Sequence, residues 1–149
     1  MERILRSVLQ VGNAPDAEEC LVNWHKLVEY SLDFTTEEDK RIYDYLHQFY
    51  SSMSAPPDFS LAREFFEKKD DIECASRLDE IKKAQFYVRT NFLSIVRSEH
   101  EQQQLKSFII ACRDAASIAE HGRNLDKPIN GKKVLRGVND AMGYMFDKM

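Results

Sequence analysis

The 149-residue chain has few of the residues that build turns, disulfides and strands. It contains five glycines and four prolines, and runs of β-branched residues with alternating polarity are scarce, so the pattern favours an all-helical protein. The three cysteines, Cys20, Cys74 and Cys112, lie far apart and form no CxxC pair, which favours reduced, mostly buried thiols over a disulfide or zinc site. No apolar run approaches the ~20 residues of a membrane span, so we expect a cytoplasmic protein without a membrane partner.

The motifs of common catalytic and nucleotide-binding sites are also missing. The segment DKPINGKK (126–133) has Gly131 and Lys132, but it lacks the first glycine of a P-loop and the Ser or Thr that binds magnesium. Two pairs could chelate a metal from one helix face, Asp44 with His47 and His25 with Glu29. A dinuclear bundle site needs four carboxylates and two histidine motifs, and the chain supplies no such set. We therefore predict no metal, no cofactor and no catalytic residues, with a carboxylate and histidine metalloenzyme as the alternative that bound metal would reveal.

The charge is weakly acidic, with 21 basic and 25 acidic residues and a formal net charge of −4. This balance argues against a domain that holds nucleic acid mainly by neutralising phosphates, and we expect DNA to be at most a weak partner. A local basic cluster nevertheless lies close to the C-terminus. It is either a solvated loop or a modest, salt-sensitive contact with phosphates or an acidic partner surface. Its members are Arg123, Lys127, Lys132, Lys133 and Arg136.

Apolar residues at helical spacing predict three helices in the first half of the chain. The first covers residues 2–10, and the second starts near Asp16, with Trp24, the only tryptophan, as a core anchor. The third follows two overlapping capping boxes, one starting at Thr35 and the other pairing Thr36 with Asp39.

Two further short helices are predicted before residue 90. Pro56 and Pro57 interrupt the third helix, and Ser60 is then predicted to cap a fourth helix. That helix should turn Leu61, Phe65 and Phe66 inward. The fifth runs roughly from Asp71 to Ala84 and should bury Ile72, Ala75, Leu78 and Ile81.

The last third of the chain predicts a helical hairpin. A long helix starts at Phe92, after Thr90 or Asn91, and ends at His121, before Gly122. At 1.5 Å per residue it would span about 45 Å, so part of it should project. Residues 122–133 are predicted as a loop with a turn signal at Asn130-Gly131. The apolar stripe of the terminal helix is predicted to comprise Val134, Leu135, Val138, Ala141, Met142, Met145 and Phe146.

The order of these segments resembles the N-terminal domain of DnaB-type replicative DNA helicases. The resemblance is carried by RILRSVL (3–9), by RIYDYLHQFYSSMSAPPDFSLAREFFE (41–67), and by the segment that runs from RLDEIKK through NFLSIVRSEHEQQQL to AEHG (77–122). Two stretches depart from the family pattern: residues 13–40 are longer and more polar, and KKDDIECASR (68–77) replaces a glycine-rich stretch. The departures indicate a divergent member, from a phage or another mobile element.

The resemblance implies an all-α fold, with a compact multi-helix head at residues 1–90 and a projecting antiparallel helical hairpin at 91–149. It also implies a non-catalytic collar domain that forms dimers or hexamers and docks primase or a helicase loader during DNA replication. ATP and magnesium would then belong to a motor domain beyond residue 149. The alternative is a free-standing helical adaptor or inhibitor that binds a replication protein. The residues expected to mediate self-association, or else to pack within the hairpin, are Phe108, Ile109, Cys112, Val138, Met142, Met145 and Phe146.

Overall fold

The structure, a computed structural model, describes residues 1–12, 17–129 and 132–148, and for residues 123, 125–129, 132 and 133 it describes the backbone alone. The described residues are mostly helical, so the predicted all-α class is confirmed. Their elements follow in the order α1 (Glu2–Arg6), α2 (Ala17–Val28), α3 (Glu37–Met53), α4 (Phe59–Lys68), α5 (Ile72–Lys82), α6 (Arg89–His121), β1 (Arg123–Ile129), β2 (Lys132–Leu135) and α7 (Gly137–Lys148).

The chain divides into two compact units, Met1–His100 and Glu101–Met149, and the division falls within α6. We call them the head and the C-terminal unit. The predicted boundary lies ten residues earlier. The first turns of α6 belong to the head because Phe92 and Val96 are fully buried in its core.

Helix α5 packs against α1, α3 and α4, which makes it the central element of the head. Its inward stripe is confirmed, since Ala75, Leu78 and Ile81 are buried. Ile72 was predicted to join them, but it is 75% exposed because it stands in the first turn, before the stripe reaches the core. Leu61 of α4 was likewise predicted to point inward, and it is half exposed.

The start of α3 follows local capping chemistry, whereas the start of α4 does not. The Thr36 hydroxyl accepts a hydrogen bond from the Asp39 backbone N–H, as the capping box predicts. The predicted cap at Ser60 is wrong, because α4 already begins at Phe59. The Phe59 N–H donates to the Gln10 carbonyl at 2.8 Å, and this pairing holds the chain extended up to Asp58. The first helix is shorter than predicted for the same reason, since Gln10 lies in this bridge.

Trp24 is a core anchor, as predicted. Its ring stacks on that of Tyr50 at 4.5 Å between centroids, and the two planes are parallel. The Tyr50 hydroxyl donates to the Val8 carbonyl at 2.6 Å, which ties α3 to the end of the first helical segment.

In the C-terminal unit, α6 ends at His121 as predicted, but the segment after Gly122 is not a loop. Strands β1 and β2 pair antiparallel, with Arg123 opposite Leu135 and Asn124 opposite Val134; we call the pair the ribbon. Proline at position 128 is compatible with a strand here, because a two-stranded sheet consists only of edge strands. The predicted turn at Asn130-Gly131 lies outside the described residues.

The terminal helix therefore starts later than its apolar stripe suggested. Val134 and Leu135 lie in β2, and α7 begins at Gly137. Leu135 still joins the apolar core of the unit, which it reaches from a strand. No helix in the described part of the chain is both long and apolar enough to cross a lipid bilayer.

Candidate self-association surface

The second half of α6 and α7 contact each other in the C-terminal unit. The Tyr144 hydroxyl donates to the Asp114 carboxylate at 3.1 Å, and the Cys112 and Met145 sulfur atoms lie 3.8 Å apart. Later residues of α7 thus meet earlier residues of α6, so the two helices run antiparallel. Their small shared core contains Ile118, Leu135, Ala141 and Tyr144, with Ala115 packed against it.

The seven residues predicted for self-association are divided between contact and exposure. Cys112 and Met145 are half-buried and touch each other, so hairpin packing accounts for both of them. The other five are each between 41% and 67% exposed. We call the complete set the hairpin face: Phe108, Ile109, Cys112, Val138, Met142, Met145 and Phe146.

The exposed members of the hairpin face lie on one side of the helix pair. On a helical wheel with 3.6 residues per turn, the exposed apolar positions of each helix lie about 100° from its buried stripe. In both helices the rotation follows the direction in which the helix winds from its N-terminus to its C-terminus. Because the helices are antiparallel, this rotation brings both exposed edges to the same side. The contact between Cys112 and Met145 joins the two edges into one surface.

Helix α6 exposes more apolar surface than the sequence predicts. No residue of α6 from Arg97 to Ile110 is buried, although this stretch contains four large apolar side chains. Leu105 is 58% exposed and stands three and four residues before Phe108 and Ile109, so it extends the hairpin face. The same i, i+3, i+4 spacing could have identified Leu105 from the sequence. Contiguous exposed apolar surface of this kind marks interaction sites in monomeric proteins.

Two methionines, one exposed and one half-buried, give the surface an adaptable composition. Met142 is 48% exposed, and Met145 lies beside it at the helix contact. An unbranched thioether side chain fills irregular gaps and repacks easily, which is why methionine is frequent at binding surfaces.

The strongest electrostatic cluster lies elsewhere, in the head. Arg77 contacts Glu2 and Glu80 as well as Asp39, and Arg77, Glu2 and Asp39 border an open cavity of about 410 Å³. The hydrogen bond to Asp39 raises the pKa of the Arg77 guanidinium above its usual range, so Arg77 stays charged. Its ion pairs with three carboxylates make this cluster a structural link between α1, α3 and α5.

The basic cluster predicted near the C-terminus falls on the ribbon. Arg123 and Lys127 belong to β1, and Lys132 and Lys133 belong to β2, but their side chains lie outside the described part of the structure. Arg136 follows β2 and is exposed. Its backbone N–H donates to the Asp140 carboxylate at 3.0 Å, which fixes the start of α7.

The two helical pairs considered as metal ligands are not joined by further ligands. Among the described residues, no group of three His, Cys, Asp or Glu side chains could hold a metal ion. The His47 ring packs edge-on against Trp24, with 5.8 Å between centroids.

Comparisons with protein-family models, with curated proteins and with solved structures find no match to this chain.

Proposed function

We propose that this chain is a non-catalytic collar domain of a DnaB-like replicative helicase. In this role it associates with further copies through the hairpin face and docks primase or a helicase loader. The observation that carries the proposal is the exposed apolar side of the α6 and α7 pair. The resemblance of residues 3–9, 41–67 and 77–122 to the helicase family supplies the biological context.

The hairpin face is large enough for a moderate self-association. Complete burial of a large apolar side chain is worth about 1.5–3 kcal/mol, so five half-exposed side chains would each contribute about 1 kcal/mol. In a two-fold symmetrical pair both copies contribute, which gives a gross gain of about 10 kcal/mol. An association cost of about 4 kcal/mol, the lower end of the usual range, then leaves a Kd on the order of tens of micromolar.

Sedimentation equilibrium or light scattering tests this step directly. The mean mass of the wild-type protein should rise above that of the monomer as its concentration passes the expected Kd. Met142→Glu should abolish the rise, because the interface would have to bury an unpaired carboxylate. Leu61→Glu is the matched control, since it places the same charge on an apolar helical residue of the head with similar exposure, 50% against 48%.

A wild-type protein that stays monomeric well above the expected Kd contradicts the self-association step. An equal loss of self-association in the Met142→Glu and Leu61→Glu variants contradicts the assignment of the interface to the hairpin face. Circular dichroism of both variants separates a lost interface from a lost fold.

The gene tests the helicase assignment separately. A reading frame that continues past Met149 into a GxxxxGK[ST] motif supports a helicase domain, because that motif binds the phosphates of ATP. A stop codon directly after Met149 favours the free-standing adaptor or inhibitor. Binding of the chain to the primase encoded by the same genome, measured by calorimetry with both variants, tests the docking role.

A further inference from the structure

The ribbon is fixed at its base to the two helices of the C-terminal unit. Leu135, at the end of β2, is buried beside Ile118 of α6 and Tyr144 of α7. At the other strand, Gly122 has φ +74°, and a Cβ added to it would lie 2.9 Å from the Cγ atom of Arg136. The chain therefore enters and leaves the ribbon at one tightly packed point.

The side chains at the base of the ribbon alternate as in any strand. Leu135 is buried, whereas Val134, the preceding residue, and Asn124, its partner in the ladder, are exposed. One side of the base thus packs on the helices and the other side faces solvent. A two-stranded element that is anchored at its base and exposes one side to solvent is suited to binding a partner.

The net positive charge of the chain is concentrated in the ribbon and the residues that flank it. Residues 122–136 contain five basic residues and one acidic residue, Asp126, which gives a net charge of +4. The whole chain carries −4, so all the other residues together carry −8. A polyanion would be attracted to the ribbon and repelled by the rest of the chain.

We propose that the ribbon is a sequence-independent contact for the phosphate backbone of double-stranded nucleic acid. The major groove of a duplex admits a two-stranded ribbon. Residues 122–136 include no aromatic residue, so the segment lacks the stacking platforms by which proteins hold single strands. Its basic residues occur on both strands, Arg123 and Lys127 on β1 and Lys132 and Lys133 on β2, so both strands contribute charge. This contact is independent of self-association through the hairpin face.

Fluorescence anisotropy of a labelled duplex DNA, titrated with the full chain at several salt concentrations, tests the proposal. Four phosphate contacts predict that affinity falls about a hundredfold between roughly 50 mM and 200 mM salt. Replacing two basic residues, as Lys132→Gln with Lys133→Gln, should reduce this fall to about tenfold. Arg123→Gln with Lys127→Gln should do the same from the other strand. Lys40→Gln with Lys83→Gln is the matched control, because both are exposed lysines of the head, and it should match the wild type.

Three results would overturn the proposal. The first is no binding of the duplex at low salt. The second is an equal salt dependence in the two ribbon variants, the head control and the wild type. The third is preferential binding of another polyanion. Tighter binding of single-stranded than of duplex DNA would indicate a different mode of nucleic-acid binding. Displacement of the duplex by polyglutamate of equal total charge would indicate that the partner is an acidic protein surface.

Discussion

Arg77 and Asp39 form a bidentate ion pair between α5 and α3, with Nε–Oδ1 and Nη2–Oδ2 distances of 2.7 Å and 3.1 Å. Arg63 and Asp79 form a pair of nearly the same geometry between α4 and α5, at 3.0 Å and 3.1 Å. The two pairs differ in burial. The side chain of Asp39 is 1% exposed, whereas that of Asp79 is 46% exposed.

We expect Arg77→Met to destabilise the head by about 3–5 kcal/mol, because it leaves the Asp39 carboxylate buried without its partner. Methionine keeps an apolar stem of comparable length, so the loss comes from the charge. Arg63→Met is the control and should destabilise the head much less, since the Asp79 carboxylate remains in contact with water. Urea unfolding followed by circular dichroism measures both values. Equal losses in the two variants would mean that burial does not set the strength of these pairs.

Tyr50→Phe should show a penalty that depends on pH. Burial raises the pKa of the Tyr50 phenol above its usual value of about 10. Below that pH the phenol is protonated in the folded and unfolded states, and its hydrogen bond to Val8 contributes about 1 kcal/mol. Above about pH 10 the unfolded chain loses the proton first, which stabilises the unfolded state. The advantage of wild type over Tyr50→Phe should therefore shrink as pH rises from about 8 to 11, as urea unfolding at each pH would report. A constant difference would show that the phenol ionises equally in both states.

Leu135→Ala and Val134→Ala test the strand assignment of β2. Leu135 is 3% exposed and packs in the core of the C-terminal unit, so its truncation should cost about 2–5 kcal/mol. Val134, its neighbour, is 44% exposed, so the truncation Val134→Ala should cost less than about 1 kcal/mol. Thermal unfolding of the C-terminal unit within the full chain compares the two. Similar losses at both positions would contradict the alternation of a strand.

Several helical features could be predicted because their signals are local. The capping box at Thr36, the apolar stripe of α5 and the end of α6 before Gly122 each depend on residues a few positions apart. Burial at the helix ends could not be predicted in this way. Ile72 and Leu61 continue a helical stripe, but exposure depends on where the neighbouring helices end.

The sequence does not predict the ribbon, because the helical spacing that leads into α7 outweighs the local hairpin signal. Val134 and Leu135 extend the helical spacing of the stripe in α7, and Pro128 suggested a loop. Asn130-Gly131 is a strong hairpin signal where extended segments flank it, but the dipeptide by itself predicts only a turn. The pairing of Arg77 with Asp39 had no local signal, since it joins residues 38 positions apart.

For the hairpin face, helical spacing places the predicted residues on α6 and α7, but it does not predict which of them are in contact and which are exposed. That division depends on the register of the two helices, which the meeting of Cys112 with Met145 fixes. Helical spacing within one segment carries no information about the register of another.

The distribution of the three cysteines has a practical consequence. Cys20 and Cys74 are completely buried, and burial raises the pKa of the Cys74 thiol to about 11. Cys112 is partly open to solvent and lies on the hairpin face. A thiol-directed dye added to the native wild-type protein should therefore label Cys112 first. The molecule carries its own reporter at the surface where a second copy would bind.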